Sequence, residues 1–562
     1  MSLIGALNAA STGLAVSQTQ IQTISNNIAN INTPGYAREI GIQSELPQHE
    51  IAPGIKVGTG VELTGVQRQI DQALQARLNG ATSDSSAADT LQNSLGQLQG
   101  VFDALSGNDI SAKLDQFFGA WSNLANTPQN AGLRQVVLQD GDTLAKQFQT
   151  VSSQLVNLQG TSVDQFESLT RQADALSQQI AGYNVQIALS GGGAASGLIG
   201  QRDQAISDLS KLVNVQTVPQ DNGSVNVYIG SDPLVLAGQS RGIAIKRQTV
   251  NGLLTSSLTF KSDGGSVLAT GGELGGLASV QSQVGDSLNK INGLAKTLIN
   301  EVNKIHGSGQ GTAGFDSVTS TNSAASTNVS LNNPATRLKY TANTGSFVVH
   351  VKQKGSGLET STLVQVKLDG TVGDTSLSSL AGSLGTIGGV STSVVNGKIT
   401  IKSSNPDAQI SFSQDSSGVL AALGINNYFT GDNANNIGVN QTLIAQPNLL
   451  AAAQNGEPAD NQTAIAIAAL SSKQLLALNG QTLNQSYQAV VNGVGNSANA
   501  AKNNSEAAKS VVNTLTTQQQ ALSGVSLDEE TINLMKQQRA YQGAAKLIST
   551  VDSLMQSLLQ AF

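Results

Sequence analysis

The chain has 562 residues, room for roughly three or four domains of about 150 residues, and it lacks cysteine, which excludes disulfides, thiolate nucleophiles and cysteine metal sites. Its 30 Lys and Arg residues against 37 Asp and Glu give a net charge of −7, and only 12% of residues are charged. This balance argues against broad contact with phosphate groups, so we expect no nucleic-acid partner.

The sequence contains no run of about 18 uninterrupted apolar residues, so we expect no membrane insertion. The amino terminus has neither a basic region nor a compact apolar segment before a small-residue cleavage site, unlike a secretory signal peptide. We therefore expect a chain that either stays inside the cell or leaves it by a route that reads no such signal.

Residues 3 to 31 carry an apolar stripe at alternating spacings of four and three, which predicts a helix with a coiled-coil seam. No charged residue occurs before Arg38, so partner choice must depend on apolar fit. The helix should end near Pro34, because proline disfavours helical angles in the residue before it. The expected interface residues are Leu3, Leu7, Leu14, Ile21, Ile24, Ile28 and Ile31, with Ala10 and Ser17 between them.

The carboxyl-terminal segment carries a second stripe of the same kind. Burying the seven large apolar residues of the first stripe contributes roughly 10 to 20 kcal/mol, whereas ordering its backbone costs about 1 to 2 kcal/mol per residue. We therefore expect each terminal helix to become ordered only when its stripe meets another stripe. Residues 528 to 530 are acidic and favour a helix start after Ser526. The expected interface residues here are Leu534, Tyr541, Ile548, Val551, Met555, Leu558 and Phe562.

The middle of the chain is predominantly helical in pattern. Residues 89 to 190 contain three apolar stripes, at 91–105, 133–158 and 169–187, which predict long helices packed as a rod-like bundle. A glycine run at 191–193 should end this pattern. A short helix is expected over 200–213, strands over 215–260 and a further helix over about 276–306.

Residues 315 to 435 differ in character, since Ser, Thr, Gly and Asn alternate there with short apolar runs such as Phe347-x-Val349-x-Val351. The pattern returns to helical over 460–522. The predicted fold class is therefore mainly α with inserted β. It comprises a terminal coiled-coil core domain (1–75 and 523–562), a helical rod domain (76–314 and 436–522) and an inserted β-rich outer domain (315–435).

The sequence offers few candidate residues for catalysis or metal binding. The three histidines lie in different segments without metal-ligand spacing, and we expect His306 to be a cation-capable residue at a helix C-terminus. The Gly-x-Gly-x-x-Gly motif at 309–314 follows a helix instead of joining a strand to a helix, which excludes a dinucleotide loop. No nucleophile triad can be nominated. We expect no enzyme, no cofactor and no metal.

The two ends of the chain together resemble the axial proteins of the bacterial flagellum. The carboxyl-terminal part of the resemblance lies in residues 538–542 and 546–552. Within that group, the chain most resembles the family of flagellar hook-associated protein 1, the first hook–filament junction protein. The features that carry this closer resemblance are residues 524–530, residues 200–204 and the long helical segments. The amino-terminal motif residues are Asn26, Asn27, Asn30, Thr33, Pro34, Gly35 and Tyr36.

The resemblance implies a structural role. Terminal helices would pair as a coiled coil in the inner core of a tube, with about eleven copies in one ring. The hook protein would lie below and the second hook–filament junction protein above. It also implies type III export of the unfolded chain, assisted by a cytoplasmic chaperone that recognises the carboxyl-terminal region. The final location would be the extracellular part of the flagellum.

Three alternatives remain open. A hook or distal rod protein shares both end motifs. An extracellular adhesin would account for the β insertion, but it has no need for two matched, nearly uncharged terminal stripes. A polysaccharide or peptide hydrolase would need a convergent carboxylate or Ser/His set, which the sequence does not offer.

Overall fold

The structure is a computed structural model and describes residues 3–33, 35–52, 54–102, 109–190, 196–250, 252–457 and 459–561. Within these ranges the predicted class, mainly α with inserted β, is confirmed. The α-helices are α1 (Leu3–Ala29), α2 (Gln72–Val101), α3 (Ile110–Asn126), α4 (Ala131–Leu189), α5 (Ser196–Leu212), α6 (Gly272–Gly307), α7 (Leu377–Gly385), α8 (Val419–Leu423), α9 (Gln441–Ala445), α10 (Gln462–Ala468), α11 (Leu483–Ser523) and α12 (Leu527–Gln560).

The described strands form small antiparallel sheets. They are β1 (Glu39–Glu45), β2 (His49–Ala52), β3 (Ile55–Val57), β4 (Val61–Arg68), β5 (Val215–Pro219), β6 (Val225–Ile229), β7 (Asp232–Leu236), β8 (Gln239–Ser240), β9 (Ile243–Val250), β10 (Leu253–Phe260), β11 (Ser266–Val267), β12 (Ser317–Thr319), β13 (Gly345–Gln353), β14 (Glu359–Val366), β15 (Val390–Val395), β16 (Lys398–Ser403), β17 (Ala408–Ser413), β18 (Phe429–Thr430) and β19 (Gly438–Val439). The sheet orders are β1-β4, β2-β3, β5-β6-β7-β8, β11-β10-β9, β14-β13-β17, β12-β16-β15 and β18-β19.

The apolar stripes that the structure describes lie on long helices, as predicted, with one difference. The stripes at 133–158 and 169–187 lie on a single helix, α4, of 59 residues. The segment between them contains no proline and only one glycine, Gly160. A glycine costs about 1 kcal/mol in a helix interior, which is too little to end a helix that buries Val163 and Phe166 in the same segment. The predicted break at 191–193 lies outside the described residues.

Residues 37 to 75 contain strands that the sequence did not predict. Strand β1 pairs antiparallel with β4, and β2 pairs with β3. The alternation that could have revealed β1 is short, and both Ile40 and Ile42 remain exposed. Strands β1 and β4 pack against α1 and so form part of the surroundings of the terminal helix.

The chain divides into two compact units. The first comprises Met1–Ser94, Gly160–Gln281 and Asn499–Phe562, and the second comprises Leu95–Gln159 and Ser282–Ala498. The boundaries of the three domains predicted from the sequence remain a prediction. Within the described ranges, no helix is both long enough and apolar enough to span a lipid bilayer.

The core of the first unit lies between helices and the β5–β8 sheet. Ile180 of α4, Leu209 of α5 and Val227 of β6 are buried together there. Asn184 of α4 hydrogen-bonds to the backbone of the sheet. Its side chain donates to the Val225 carbonyl at 2.8 Å and accepts from the Val225 amide at 3.0 Å. The strands predicted over 215–260 are confirmed as β5 to β10.

The core of the second unit is an aromatic cluster around Tyr428. Trp121, Phe117 and Phe429 lie with ring centroids 4.7 to 5.6 Å from that of Tyr428. The Tyr428 hydroxyl donates to the Val137 carbonyl at 2.6 Å and occupies the space that a side chain at Gly141 would need. The predicted alternation in β13 is also confirmed, since its inner side chains are buried: Phe347, Val349 and Val351.

His306 is buried and neutral, so the expected cationic role at the end of α6 is wrong. Its Nδ1 donates to the Asn426 carbonyl at 2.7 Å, and its Nε2 accepts from the Ala451 amide at 3.0 Å. A second ring proton would meet the Ala451 N–H instead of an acceptor. Burial lowers the pKa of His306 to about 4.

This histidine should make the second unit sensitive to acid. In the unfolded chain His306 titrates near 6.5, so its contribution is fully present above that pH and is lost as pH falls toward 4. The free energy of unfolding should drop by about 2 kcal/mol between pH 7 and pH 5 from this residue alone. Denaturant unfolding followed by the fluorescence of Trp121, the single tryptophan, measures this drop in the second unit.

His306→Gln should remove most of this pH dependence, whereas His49→Gln should leave it intact because His49 is exposed. An equal slope in the His306 variant and the unaltered chain would contradict the assignment.

Candidate assembly site

The terminal helices α1 and α12 pack along each other within the first unit. Asn27, near the end of α1, contacts Glu530, near the start of α12, so the two helices run antiparallel. The two terminal helices therefore pack together within one chain. Which residues form contacts between copies stays a prediction.

The buried face of α1 is shifted relative to the predicted seam. Ala10, Ser17 and Ile24 of the seam are buried, and Val16 and Thr23 lie beside them on the same buried face. The other seam residues of the helix are half-buried: Leu3, Leu7, Leu14, Ile21 and Ile28. Ile31 lies beyond the last residue of α1 and is exposed.

The seam of α12 is covered less completely. Val551 is buried, and Leu534 and Ile548 are half-buried. Three other predicted interface residues are exposed in the single chain: Tyr541, Met555 and Leu558. Phe562 lies outside the described residues.

A further set of apolar residues on α12 is only half covered in the single chain. Its residues are Ile532, Met535, Leu547 and Leu554, which we call the outer stripe, and each is 46 to 50% exposed. At 100° per residue, these four fall within about 120° of the helix circumference, on the side opposite to Leu534. A stripe of this width on a helix is a packing surface for another protein element.

A buried polar cluster joins the two ends of the chain; we call it the Asn27 cluster, formed by Asn27, Tyr36, Arg38, Glu39 and Glu530. The Asn27 side-chain amide donates to the Glu39 carbonyl at 2.8 Å and to Glu530 Oε2 at 3.0 Å. Its Oδ1 accepts from the Tyr36 hydroxyl at 2.8 Å and from the Glu39 amide at 2.9 Å. All the hydrogen-bonding capacity of this amide is used.

Arg38 and Glu530 supply the charges of the cluster. Arg38 Nε and Nη2 lie 2.8 and 2.7 Å from Glu530 Oε1, and the Glu530 side chain is only 1% exposed. The Arg38 amide also donates to the Ser523 carbonyl at 3.0 Å. Burial, with the charges of Glu39 and Glu530, raises the pKa of the Tyr36 hydroxyl to about 12, so the hydroxyl stays a donor at neutral pH.

The remaining motif residues shape the turn after α1. Asn30 donates to the Asn26 carbonyl at 3.0 Å and accepts from the Thr33 hydroxyl at 3.1 Å. Gly35 has a φ of +76°, and a Cβ there would lie 2.6 Å from Gln204 Oε1. Only glycine therefore fits this turn without strain. Pro34 lies outside the described residues.

Sequence reasoning missed three members of the cluster. The sequence pattern marks Arg38 only as the first charged residue and Glu530 only as a carboxylate at a helix start. It assigns no role to Glu39. The helix-start role does apply at Ser526, whose hydroxyl accepts from the Glu529 amide at 3.5 Å. No local signal relates Arg38 to Glu530, because 492 positions separate them.

The described residues hold no group of three His, Asp or Glu side chains that could bind a metal. His306 is committed to two backbone groups, and His350 donates or accepts at Ser361, Ser413 and Glu359 within 2.8 Å. Both rings are largely buried. At the terminal site, apolar packing and buried hydrogen bonds hold the two ends of the chain together.

The family models that match this chain all describe flagellar proteins. The helical domain of the flagellar hook-associated protein FlgK matches residues 95–320. The flagella basal body rod protein family matches residues 7–36, and the carboxyl-terminal family of the flagellar basal body rod FlgEFG proteins matches residues 518–561. The last two matches contain the terminal helices and much of the Asn27 cluster.

Two full-length relatives carry the same name, flagellar hook-associated protein 1. The one from Escherichia coli is 26% identical over 98% of this chain and 99% of its own length. The one from Salmonella typhimurium is 26% identical over the same shares. A solved structure, the flagellar hook junction protein FlgK from Burkholderia pseudomallei, covers 80% of this chain and all of its own, with a TM-score of 0.50 and 19% identity, and supports the fold.

A substitution in the Asn27 cluster tests whether the buried Arg38–Glu530 pair stabilises the packing of α1 on α12. Glu530→Gln should leave the Arg38 guanidinium without its buried counter-charge. Because Arg38 is about one-fifth exposed, the expected cost is about 2 kcal/mol, below the 3 to 5 of a fully buried pair. Hydrogen exchange of the α1 amides should then speed up about 30-fold.

Glu529→Gln is the matched control. It removes the same charge one residue away, from a side chain that is 65% exposed and 3.4 Å from Arg38. Exchange that is equally fast in both variants would show that the buried pair does not hold α1.

Proposed function

This chain belongs to the family of flagellar hook-associated protein 1, and we propose that it joins hook and filament by self-assembly through its paired terminal helices. It is a structural protein of the hook–filament junction. The observation that supports assembly through the terminal helices is the outer stripe of α12, which remains half-exposed although α1 packs along the same helix.

The energetics favour a neighbour for this stripe. A fully buried Leu, Ile or Met side chain contributes roughly 1.5 to 3 kcal/mol. Each outer-stripe residue is about half covered, so covering the remainder should add roughly 1 kcal/mol per side chain. Four such residues in every copy, repeated around a ring, give a large apolar contribution to assembly.

The Asn27 cluster prepares the helix pair for this contact. It fixes the end of α1 against the start of α12 through one fully bonded amide and one buried ion pair. A helix pair that is held in one register loses less conformational freedom when it meets a neighbour. Each copy would present different surfaces above and below, which is a heterologous contact that extends a lattice.

The partners of this assembly follow from the family and are part of the proposal. Copies of the chain would form a ring of about eleven, with the hook protein below and the second hook–filament junction protein above. A cytoplasmic export chaperone would cover the carboxyl-terminal region before type III export. The outer stripe and the exposed Met555 and Leu558 give such a chaperone an apolar surface to bind. The working location would be the extracellular flagellum.

The relatives are structural proteins, and we propose that this chain has no enzymatic activity. A hook or distal rod protein is less well supported, because the matched central region belongs to the helical domain of hook-associated proteins. An adhesin role would leave the paired terminal helices and the Asn27 cluster without a purpose.

The location is tested by immunogold labelling of flagella and by deletion of the coding sequence. The label should fall on the short segment between hook and filament, and the deletion strain should carry hooks while shedding flagellin into the medium. Deletion cells without hooks would favour the hook or rod alternative.

The outer stripe is tested by Leu547→Glu. The purified chain should keep its helix content and melting temperature, because Leu547 is about half-exposed in the single chain. Filament-bearing cells should fall at least tenfold, since a charge buried at the contact costs several kcal/mol.

Ser549→Glu supplies the control, with the same charge two residues away, on an exposed side chain outside the outer stripe. Normal swimming of the Leu547 variant, or an equal defect in the Ser549 variant, would count against assembly through this stripe.

A further inference from the structure

The last turns of α12 extend past α1. The two helices run antiparallel, with Asn27 of α1 beside Glu530 of α12. Because both helices rise by about 1.5 Å per residue, Leu3 at the start of α1 lies at about the level of Leu554. The end of α12 beyond that level therefore lacks the cover that α1 gives to the rest of the helix.

Three residues form the surface that α1 leaves open, and we call it the overhang face: Asp552, Met555 and Leu559. They lie on the same side of α12 as the half-buried Leu534 and Ile548. Met555 is 38% exposed and Leu559 is 79% exposed, and Asp552 is exposed beside them. The overhang face thus continues the surface on which α1 packs.

The overhang face and the outer stripe lie on different sides of α12. At 100° per residue, the three residues of the overhang face fall within about 60° and lie roughly opposite to the centre of the outer stripe. A contact between these two faces therefore has to join different copies of the chain. It is a heterologous contact, so it can continue from copy to copy around a ring.

The two faces carry charges of opposite sign. Lys536, Arg539 and Lys546 fall within the same part of the helix circumference as the outer stripe. All three are exposed, and none has a carboxylate partner among the residues that the structure describes. Asp552 accepts a hydrogen bond from Gln556 Nε2 at 3.1 Å and has no cationic partner in the described part of the chain.

The spacing of the apolar and the charged residues agrees on one alignment of two parallel α12 helices. When Leu547 of one copy lies between the two apolar residues of a neighbour's overhang face, the helices are shifted by about 8 to 12 residues, or about 12 to 18 Å. The same shift brings the neighbour's Asp552 between Arg539 and Lys546. Apolar packing and charge pairing therefore favour the same alignment.

We propose that the outer stripe of one copy packs on the overhang face of a neighbouring copy, with Asp552 of the neighbour between Arg539 and Lys546. The inference rests on the proposed self-assembly and names the surface that covers the outer stripe. A second copy is the occupant, because one helix carries both complementary faces with matching spacing. A much larger shift is disfavoured, since Asp552 would then meet Asp528 and Glu529, which carry the same charge.

A cross-link between two introduced thiols tests the contact, because the chain has no cysteine of its own. The full chain with Gly543→Cys and Met555→Cys is expressed, intact hook–filament junctions are isolated, and a short bismaleimide is added. Gly543 lies on the side of the outer stripe and has open space around it. The two positions are about 18 Å apart along one helix, beyond the reach of the reagent, so each product must join two copies. Denaturing electrophoresis should show a ladder of covalent multimers.

Gly543→Cys with Ser557→Cys is the matched control. Ser557 is exposed and lies two residues from Met555, but on the side of the outer stripe. This pair should give roughly tenfold less multimer, since both thiols then lie on the same side of the helix.

The outcomes separate the inference from the function on which it depends. A ladder in the 543/555 pair alone supports the contact between the outer stripe and the overhang face. Equal ladders in both pairs, cross-linking to a different protein, or no cross-linking in junctions that contain the variant overturns it. Absence of the unaltered protein from the junction in immunogold labelling would overturn the proposed function as well.

Charge reversal gives an independent readout. Asp552→Lys would place a third cation beside Arg539 and Lys546 of the neighbour, so filament-bearing cells should fall by roughly tenfold, because like charges that meet at an interface are strongly unfavourable. Adding Arg539→Glu to the same chain should recover most of this loss. Positions 539 and 552 are about 20 Å apart along one helix, so the recovery would come from pairing between copies.

Ser549→Lys adds a cation close to Asp552 but on neither face, and it should leave filament number unchanged. The purified variants should melt at the temperature of the unaltered chain, since the substituted side chains are exposed in the single chain. Failure of Arg539→Glu to improve the Asp552→Lys strain, or an equal defect in the Ser549 variant, would overturn the charge pairing.

Discussion

The proposed assembly depends on one constraint within α12, namely that the apolar surface of this helix is wider than a single chain covers. The inner face packs on α1 and includes the buried Val551. The outer stripe stays half-exposed. Since apolar burial is the dominant favourable term in association, this half-exposed stripe is the surface through which we propose that copies meet. In the proposed function, this stripe is also the surface that an export chaperone would cover before assembly.

The Asn27 cluster gives this apolar contact its geometry. Apolar stripes alone specify register weakly, and the amino-terminal stripe has no charges to help. A buried ion pair between Arg38 and Glu530, together with the fully bonded Asn27 amide, fits only one arrangement of the two ends. An alignment that separated the two charges would leave a buried charge without its partner, which is strongly unfavourable. The cluster therefore selects one alignment of α1 and α12, and the outer stripe then faces one direction.

The sequence predicted what depends on local periodicity. The segments with apolar stripes form the helices α1, α4 and α12, and the segment in which Phe347, Val349 and Val351 alternate with other residues forms a strand. The sequence could not predict pairings across hundreds of residues, such as Arg38 with Glu530, or burial that depends on them. His306 shows the same limit, because its neutral state is set by Asn426 and Ala451, which reach it only in the folded chain.

For the seam residues of α12, the heptad pattern does not predict which side chains are buried in the single chain. The heptad pattern groups Tyr541, Met555 and Leu558 with Val551, yet only Val551 is buried in one chain. Heptad position tells which residues share a face and does not tell how many neighbours that face will have. In the proposed assembly, further copies would cover these exposed seam residues and the outer stripe.

The most direct measurement is a cryo-electron microscopy map of the intact hook–filament junction at side-chain resolution. Apolar atoms of an adjacent subunit should lie within about 4.5 Å of Ile532, Met535, Leu547 and Leu554 in every copy. If these four side chains instead faced an open water-filled channel, the neighbours would be held by some other surface, and the account given for α12 would be wrong.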